Sequence, residues 1–290
     1  MKKTLNPAVL AAHVSIERSK TLRDITTSAI SRTNREMFAG KKIVLTGASS
    51  GVGEAAAYKF ADKGAELILV ARSRDALGAV RDKIIAAGGL AHVIVGDVSD
   101  EADTARLIEE ILQNHGTPDV LINNAGRSIR RTVLDSTDRL HDYQRTMAVN
   151  YFGPVQLTLG LLPGMKQAGH GQIINVSTWG IANGSVPKFS AYASSKAALS
   201  VFSRTIDIEL KSSGIKSTTV YFSLIKTPMI APTEHYQSIP TLSAEEAADW
   251  LVHAVAQRPT EVIPRFAKTL RRIAATSTAT VDAIMGRWPL

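Results

Sequence analysis

The chain has 290 residues, 44% of them apolar, enough to bury the core of one large domain. It has no cysteine, which excludes disulfides and any thiol nucleophile, and no apolar run of the roughly 18 residues that a membrane-crossing helix needs. The net charge of +8 lies at the ends: residues 1–40 hold 7 basic and 3 acidic groups and residues 265–290 hold 5 and 1, while the 22 of each between them cancel, which argues against a nucleic-acid groove on the body of the protein.

The first 40 residues read as a helical extension. Lys2-Lys3 and Ala8–Val14 outline part of a secretory leader, but Asn6-Pro7 and His13 interrupt it and no small-residue cleavage site follows, so a cytoplasmic location is expected. Asn6-Pro7 instead suits a helix cap and first turn, with Leu22, Ile25 and Ala29 on one face of the helix that follows. From Lys41 to Pro264 strands and helices alternate. Strands are expected near 42–47, 67–72, 91–97, 119–124, 171–177, 217–222 and 260–263, and helices near 52–63, 75–87, 101–115, 138–163, 190–212 and 243–256. This is the pattern of an α/β fold, a single doubly wound, Rossmann-type domain on a parallel sheet of about seven strands. Gly64 and Gly88-Gly89 stop helices, and Ser243-Ala-Glu-Glu246 is a capping box.

The first strand-to-helix turn reads Thr46-Gly-Ala-Ser-Ser-Gly-Val-Gly53. Glycines there let backbone N–H groups approach a pyrophosphate, and the helix N-terminus adds a dipole that favours negative charge. Gly47, Ser49, Ser50, Gly51, Val52 and Gly53 are the candidate phosphate contacts. An enzyme using NAD would carry a ribose-binding acid near the end of the second strand, but Ala71-Arg72-Ser73 stands there. An arginine beside a serine suits the 2′-phosphate of NADP(H); the alternative is a solvated arginine at a strand end. Further on, Tyr192 and Lys196 share a helix face, where an ammonium group would lower the phenol pKa and ready it for proton exchange with a carbonyl or alcohol oxygen. Ser177, ending the fifth strand, can hydrogen-bond the same oxygen.

The spacing Thr-Gly-x-x-x-Gly-x-Gly resembles the short-chain dehydrogenase/reductase family, and the resemblance continues in order through Asn123-Asn124-Ala125-Gly126, Asn150, Ser177 and Tyr192-Ala-Ser-Ser-Lys196. It implies a catalytic set of Asn150, Ser177, Tyr192 and Lys196, with Lys196 also holding the nicotinamide ribose and Asn150 supporting a water-linked proton path. It implies adenine contacts from Asp97 and Val98, further cofactor contacts from Asn124, Ala125 and Gly126, and a nicotinamide contact from Thr227. It also implies a dimer or tetramer through helices 138–163 and 190–212. After the sixth strand the family's usual Pro-Gly is replaced by Ser223-Leu224-Ile225, so the path of that loop departs from the pattern.

Three stretches, starting at Asn123, Lys226 and Pro240, resemble bacterial short-chain-type fatty acyl-CoA reductases. That implies a hydrophobic long-chain acyl or carbonyl substrate under a segment 223–242 carrying Leu224, Ile225, Met229, Ile230 and Ile239. Without cysteine, a thioester would be reduced by direct hydride transfer. Reduction of 3-oxoacyl lipids and a non-catalytic, NADP-binding regulatory role are the competing readings. Arg127, Arg130 and Arg131 follow the fourth strand, either to meet an acidic carrier such as coenzyme A or as a solvated cluster. Residues 265–290 form one or two basic amphipathic helices with Phe266, Leu270, Ile273, Val281, Ile284 and Trp288 on a stripe; it would lie on an anionic membrane or pack on protein.

Overall fold

The computed structural model describes residues 37–227 and 241–287. The expected N-terminal helix, Met229, Ile230 and Ile239 of the lid, and Trp288 fall outside the described residues.

The strands are β1 (Lys42–Thr46), β2 (Glu66–Ala71), β3 (Leu90–Val95), β4 (Val120–Asn123), β5 (Gly171–Thr178), β6 (Ile215–Phe222) and β7 (Glu261–Val262). They form one parallel sheet in the order β3-β2-β1-β4-β5-β6-β7, a doubly wound Rossmann-type arrangement. The central strands are apolar at consecutive positions because both faces are covered: Ile43, Val44 and Leu45 are all fully buried, as are Leu67 to Val70.

One face packs against α1 (Gly51–Ala61), α2 (Arg74–Ala86) and α7 (Ala244–Gln257), through Phe60, Leu77, Ile84 and Leu251. The other packs against α3 (Glu101–His115), α5 (Gly153–Ala168) and α6 (Ser190–Glu209), through Leu107, Ile111, Leu157, Leu161 and Ile206. The capping box at the start of α7 is formed: the Ser243 N–H donates to Glu246 (2.7 Å) and the Glu246 N–H to Ser243 Oγ (3.1 Å).

The single helix expected over 138–163 is three pieces. α4 (Leu140–Met147) runs into a π-helical turn over Ala148–Phe152 and then into α5, which continues past Pro163 to Ala168. Pro163 is tolerated because the carbonyl it leaves unpaired, four residues back on Leu159, belongs to an exposed residue.

The C-terminal segment is a pair of helices, α8 (Arg265–Thr276) and α9 (Thr278–Arg287). Its apolar stripe packs inward. Ala267, Val281 and Met285 are buried with Trp179 and Ile263, and Phe266, Leu270 and Ile273 pack half-buried against them. The Phe266 ring meets the Trp179 ring edge-on at 4.8 Å, Arg271 clamps Glu261 of β7 through two bonds of 2.7 and 2.8 Å, and Ser185 Oγ donates to Asp282 (2.9 Å). The stripe is thereby matched by protein, and no helix among the described residues is long and apolar enough to cross a membrane.

Candidate active site

Above the carboxyl ends of β1 and β4, where the strand order reverses, lies a cleft of about 970 Å³. The sites expected from sequence line it at Gly47, Ser49 to Gly53, Arg72, Ser73, Asp97, Val98, Asn124 to Gly126, Ser177, Tyr192, Lys196 and Thr227; Asn150 alone lies behind its wall.

The glycine-rich turn is built for close approach. Gly47 and Gly51 have φ of +67° and +58°, a region that suits glycine. A Cβ at Gly53 would fall 2.0 Å from the Gly47 carbonyl oxygen, so the first turn of α1 rests directly on the loop. Asn124 closes the turn from β4: its Nδ2 donates to the Thr46 carbonyl (2.9 Å), and its own N–H and that of Ala125 donate to Thr46 Oγ1 (3.0 Å each). Ser50 precedes α1 without a capping side-chain bond, which leaves the helix N-terminus facing the cleft.

At the β2 end, the Arg72 side chain is 79% exposed and stands 3.7 Å from Asp97, while Ser73 caps α2 through the Ala76 N–H (3.4 Å). Asp97 also accepts from the Ser99 N–H (2.9 Å) and hydroxyl (2.6 Å), so it shapes the turn as well as lining the cleft.

At the other end, Tyr192 and Lys196 project from the first turns of α6. Burial pushes the Tyr192 phenol up to about 12, against a smaller opposing effect of a hydrogen bond with the Thr178 side chain. This corrects the expectation that the lysine would lower it: burial dominates, and the phenol holds its proton at neutral pH. Burial also brings the Lys196 ammonium down to about 8; its Nζ donates to the Val176 carbonyl (2.8 Å).

One other expectation is corrected. Ser177 is buried with its hydroxyl on Ser200 Oγ (2.9 Å), which in turn donates to the Lys196 carbonyl (2.8 Å). The hydroxyl that meets Tyr192 is Thr178, the next residue. Neighbours in a strand point apart, so two adjacent hydroxyl residues cannot serve one oxygen equally. Asn150 sits fully buried in the π turn, with Oδ1 accepting from the Arg127 N–H (2.9 Å) and Nδ2 donating to the Arg127 carbonyl (2.9 Å) and Ser195 Oγ (2.9 Å). With both Nδ2 hydrogens committed, its side chain ties the β4 loop to α6.

Of the three arginines after β4, Arg127 lines the cleft. Arg131 turns away: its N–H donates to the Lys188 carbonyl (2.7 Å) and its guanidinium stands 3.7 Å from Asp142. Arg145 of α4, which no sequence signal singled out, joins Arg127 in the lining. Trp179, Val186, Phe189, Leu224 and Ile225 give this end an apolar wall, and the buried Ser223 hydroxyl in it has no hydrogen-bond partner among the described residues.

Residues 41–238 match the family model of the short chain dehydrogenases. The chain belongs to this family. It is an oxidoreductase of the short-chain type, similar to a fatty acyl-CoA reductase of Mycobacterium tuberculosis (47% identical, covering 86% of this chain and 84% of that one). It is also similar to a fatty acyl-CoA reductase of Acinetobacter baylyi (46% identical, 84% and 81%). Among solved structures it resembles L-sorbose reductase of Gluconobacter frateurii, complexed with NADPH and L-sorbose, at 27% identity and a TM-score of 0.71 over 79% of this chain and 97% of that one. Within this short-chain dehydrogenase the two ends of the cleft differ in kind: one is polar, glycine-lined and arginine-flanked, the other apolar with a phenol, a hydroxyl and an ammonium group.

Proposed function

We propose that this short-chain dehydrogenase is an NADPH-dependent reductase that converts long-chain acyl-CoA thioesters to aldehydes. The observation that carries the reading is one cleft joining the glycine-rich turn and Arg72 to Tyr192, Thr178 and Lys196, in a chain whose relatives include two fatty acyl-CoA reductases.

The residues fit NADP(H). The turn from Gly47 to Gly53 presents N–H groups and a helix N-terminus to the pyrophosphate, and a Cβ at Gly51 would stand 3.2 Å from the Thr227 methyl group, so any side chain there would crowd the residue that closes the cleft. No acid stands at Ala71 or Arg72 to repel a 2′-phosphate, and Arg72 and Ser73 can bind it. Of the other residues lining the cleft, Asp97 and Val98 would hold the adenine, Asn124 to Gly126 and Thr227 the nicotinamide, and Lys196 its ribose.

NADPH, when bound, supplies the hydride that adds to the thioester carbonyl carbon. Tyr192 gives its proton to the carbonyl oxygen as negative charge develops there, and Thr178 donates a hydrogen bond to the same oxygen. Ser177 and Ser200 hold the end of β5 against α6. The tetrahedral adduct then collapses to the aldehyde: its hydroxyl returns its proton to the Tyr192 phenolate as the C–S bond breaks, and coenzyme A leaves as a thiolate that takes one proton from solvent. The acyl chain lies against Trp179, Phe189, Leu224 and Ile225, and Arg127 and Arg145 meet the coenzyme A phosphates.

A second copy of the chain completes the molecule as a homo-oligomer. Phe152 and Leu159 at α5, and Val201 and Ile208 on α6, stand 56–68% exposed at seven-residue spacing, two stripes left uncovered among the described residues. Analytical ultracentrifugation should find a dimer or larger, and Val201→Glu with Ile208→Glu should reduce it to a monomer.

The deciding experiment follows NADPH consumption and thiol release together. The chain carries no cysteine, so a thiol reagent reads free coenzyme A alone. Palmitoyl-CoA should yield one thiol and one aldehyde for each NADPH oxidised. NADPH oxidation with a 3-oxoacyl thioester, and none with palmitoyl-CoA, would replace this reading with ketone reduction.

A further inference from the structure

At the opposite end of the sheet from the cleft, Glu66, His92 and His115 converge. Glu66 opens β2, His92 sits on β3 opposite Ile68, and His115 ends α3. Parallel strands keep Glu66, Ile68 and His92 on one face, the face that α3 covers, and α3 runs antiparallel to them, so its last residue is carried back to where the strands begin. The Glu66 carboxylate lies 3.2 Å from His92 Nε2, the two imidazole rings are 4.5 Å apart, and one donor atom from each of the three residues lies within 4.8 Å of the others.

We propose that these three side chains form a binding site for a first-row divalent cation, zinc above all, unconnected with the reductase chemistry. Two imidazole nitrogens and one carboxylate oxygen are a ligand set that suits zinc and its neighbours in the first transition row better than magnesium or calcium. Around a tetrahedral zinc, donors stand roughly 3.5 Å apart, so the present spacing closes by small rotations of side chains that are only half-buried. The open side leaves room for a water as fourth ligand. The surrounding charges are mixed: Lys42, whose Nζ donates to the His115 carbonyl (2.5 Å), opposes a cation, while Glu66 and Glu110 favour it. Bound there, the ion would pin the end of α3 to the β2–β3 edge of the sheet.

The test uses the full chain, stripped with a chelator and dialysed, then titrated with zinc chloride against a chromophoric chelator while its melting temperature is followed. One zinc ion per chain should bind with micromolar affinity and raise the melting temperature, and magnesium should do neither. His92→Gln and His115→Gln should each weaken zinc at least tenfold, the usual scale for losing a ligand-shell group, while melting like wild type in the chelator. Glu66→Gln, which keeps size and shape, should weaken it too. The chain has seven histidines, so adventitious binding is the rival outcome. Zinc binding that is unchanged in the His92/His115 double variant, or no binding by wild type at about 100 µM zinc, overturns the site.

Discussion

Burial shifts the pKa values of Tyr192 and Lys196 in opposite directions, the phenol up and the ammonium down, and the two shifts set how the enzyme should respond to pH. The phenol stays protonated up to about 12, so the acid needed for reduction is present throughout the working range. The ammonium is lost as pH rises past about 8, so kcat/KM for reduction should fall about tenfold per pH unit above that point. An inflection near 10 in its place would mean that Lys196 titrates as an exposed lysine. Tyr192→Phe should lower turnover at least about 100-fold with NADPH still bound, and near-normal turnover would refute its role. Thr178→Val should lower turnover more than Ser177→Ala does; the reverse order would return the oxygen contact to Ser177. Arg72→Ala should weaken NADPH by about 1.5 kcal/mol, the low end for a charged hydrogen bond because the side chain is largely exposed, and should leave NADH nearly unchanged in cofactor titrations. Spacing along α6 made Tyr192 and Lys196 legible in the sequence. The choice between Ser177 and Thr178 was not legible, because both residues suit a strand end and only the packing of β5 on α6 decides which hydroxyl is taken by Ser200.

Among the elements, the π turn at Ala148–Phe152 was invisible to sequence periodicity: one extra residue in a helix changes no composition, and Asn150 looked the same inside a continuous helix. Its consequence is local and testable. Asn150→Ala would leave the part-buried Arg127 N–H and carbonyl without their partner, while the Ser195 hydroxyl keeps its bond to the Tyr192 carbonyl, at a cost of about 2 kcal/mol, read as a lower melting temperature in differential scanning calorimetry. The amphipathic character of 265–290 was legible, but its partner was not, since a bilayer and a protein surface select the same stripe. The structure supplies the partner: α8 and α9 cover Trp179, which opens the segment leading to Phe189 along the apolar end of the cleft. A chain ending at Pro264 should therefore melt at lower temperature and show a higher KM for long acyl chains, with NADPH affinity little changed. Equal loss of affinity for cofactor and substrate would point to general unfolding.

For the molecule as a whole, alternation of apolar runs with amphipathic stretches gave all seven strands within a few residues, because a parallel sheet buried on both faces leaves an uninterrupted apolar signature. Contacts between distant segments left no such mark: Glu66, His92 and His115 meet only because α3 returns across the sheet, and Arg145 reaches the cleft only through the course of α4. The central pairing of β1 with β4 joins segments 77 residues apart, and Asn124 then latches the glycine-rich turn through Thr46. Translated into time, this places an order on synthesis. At about 5–20 residues per second, β1 leaves the ribosome seconds before the strand that must lie beside it. During that interval the growing chain holds β1 with one bare edge and a nucleotide turn without its latch, so the nascent enzyme should gain protection by NADPH against proteolysis only after Asn124 and Ala125 have emerged.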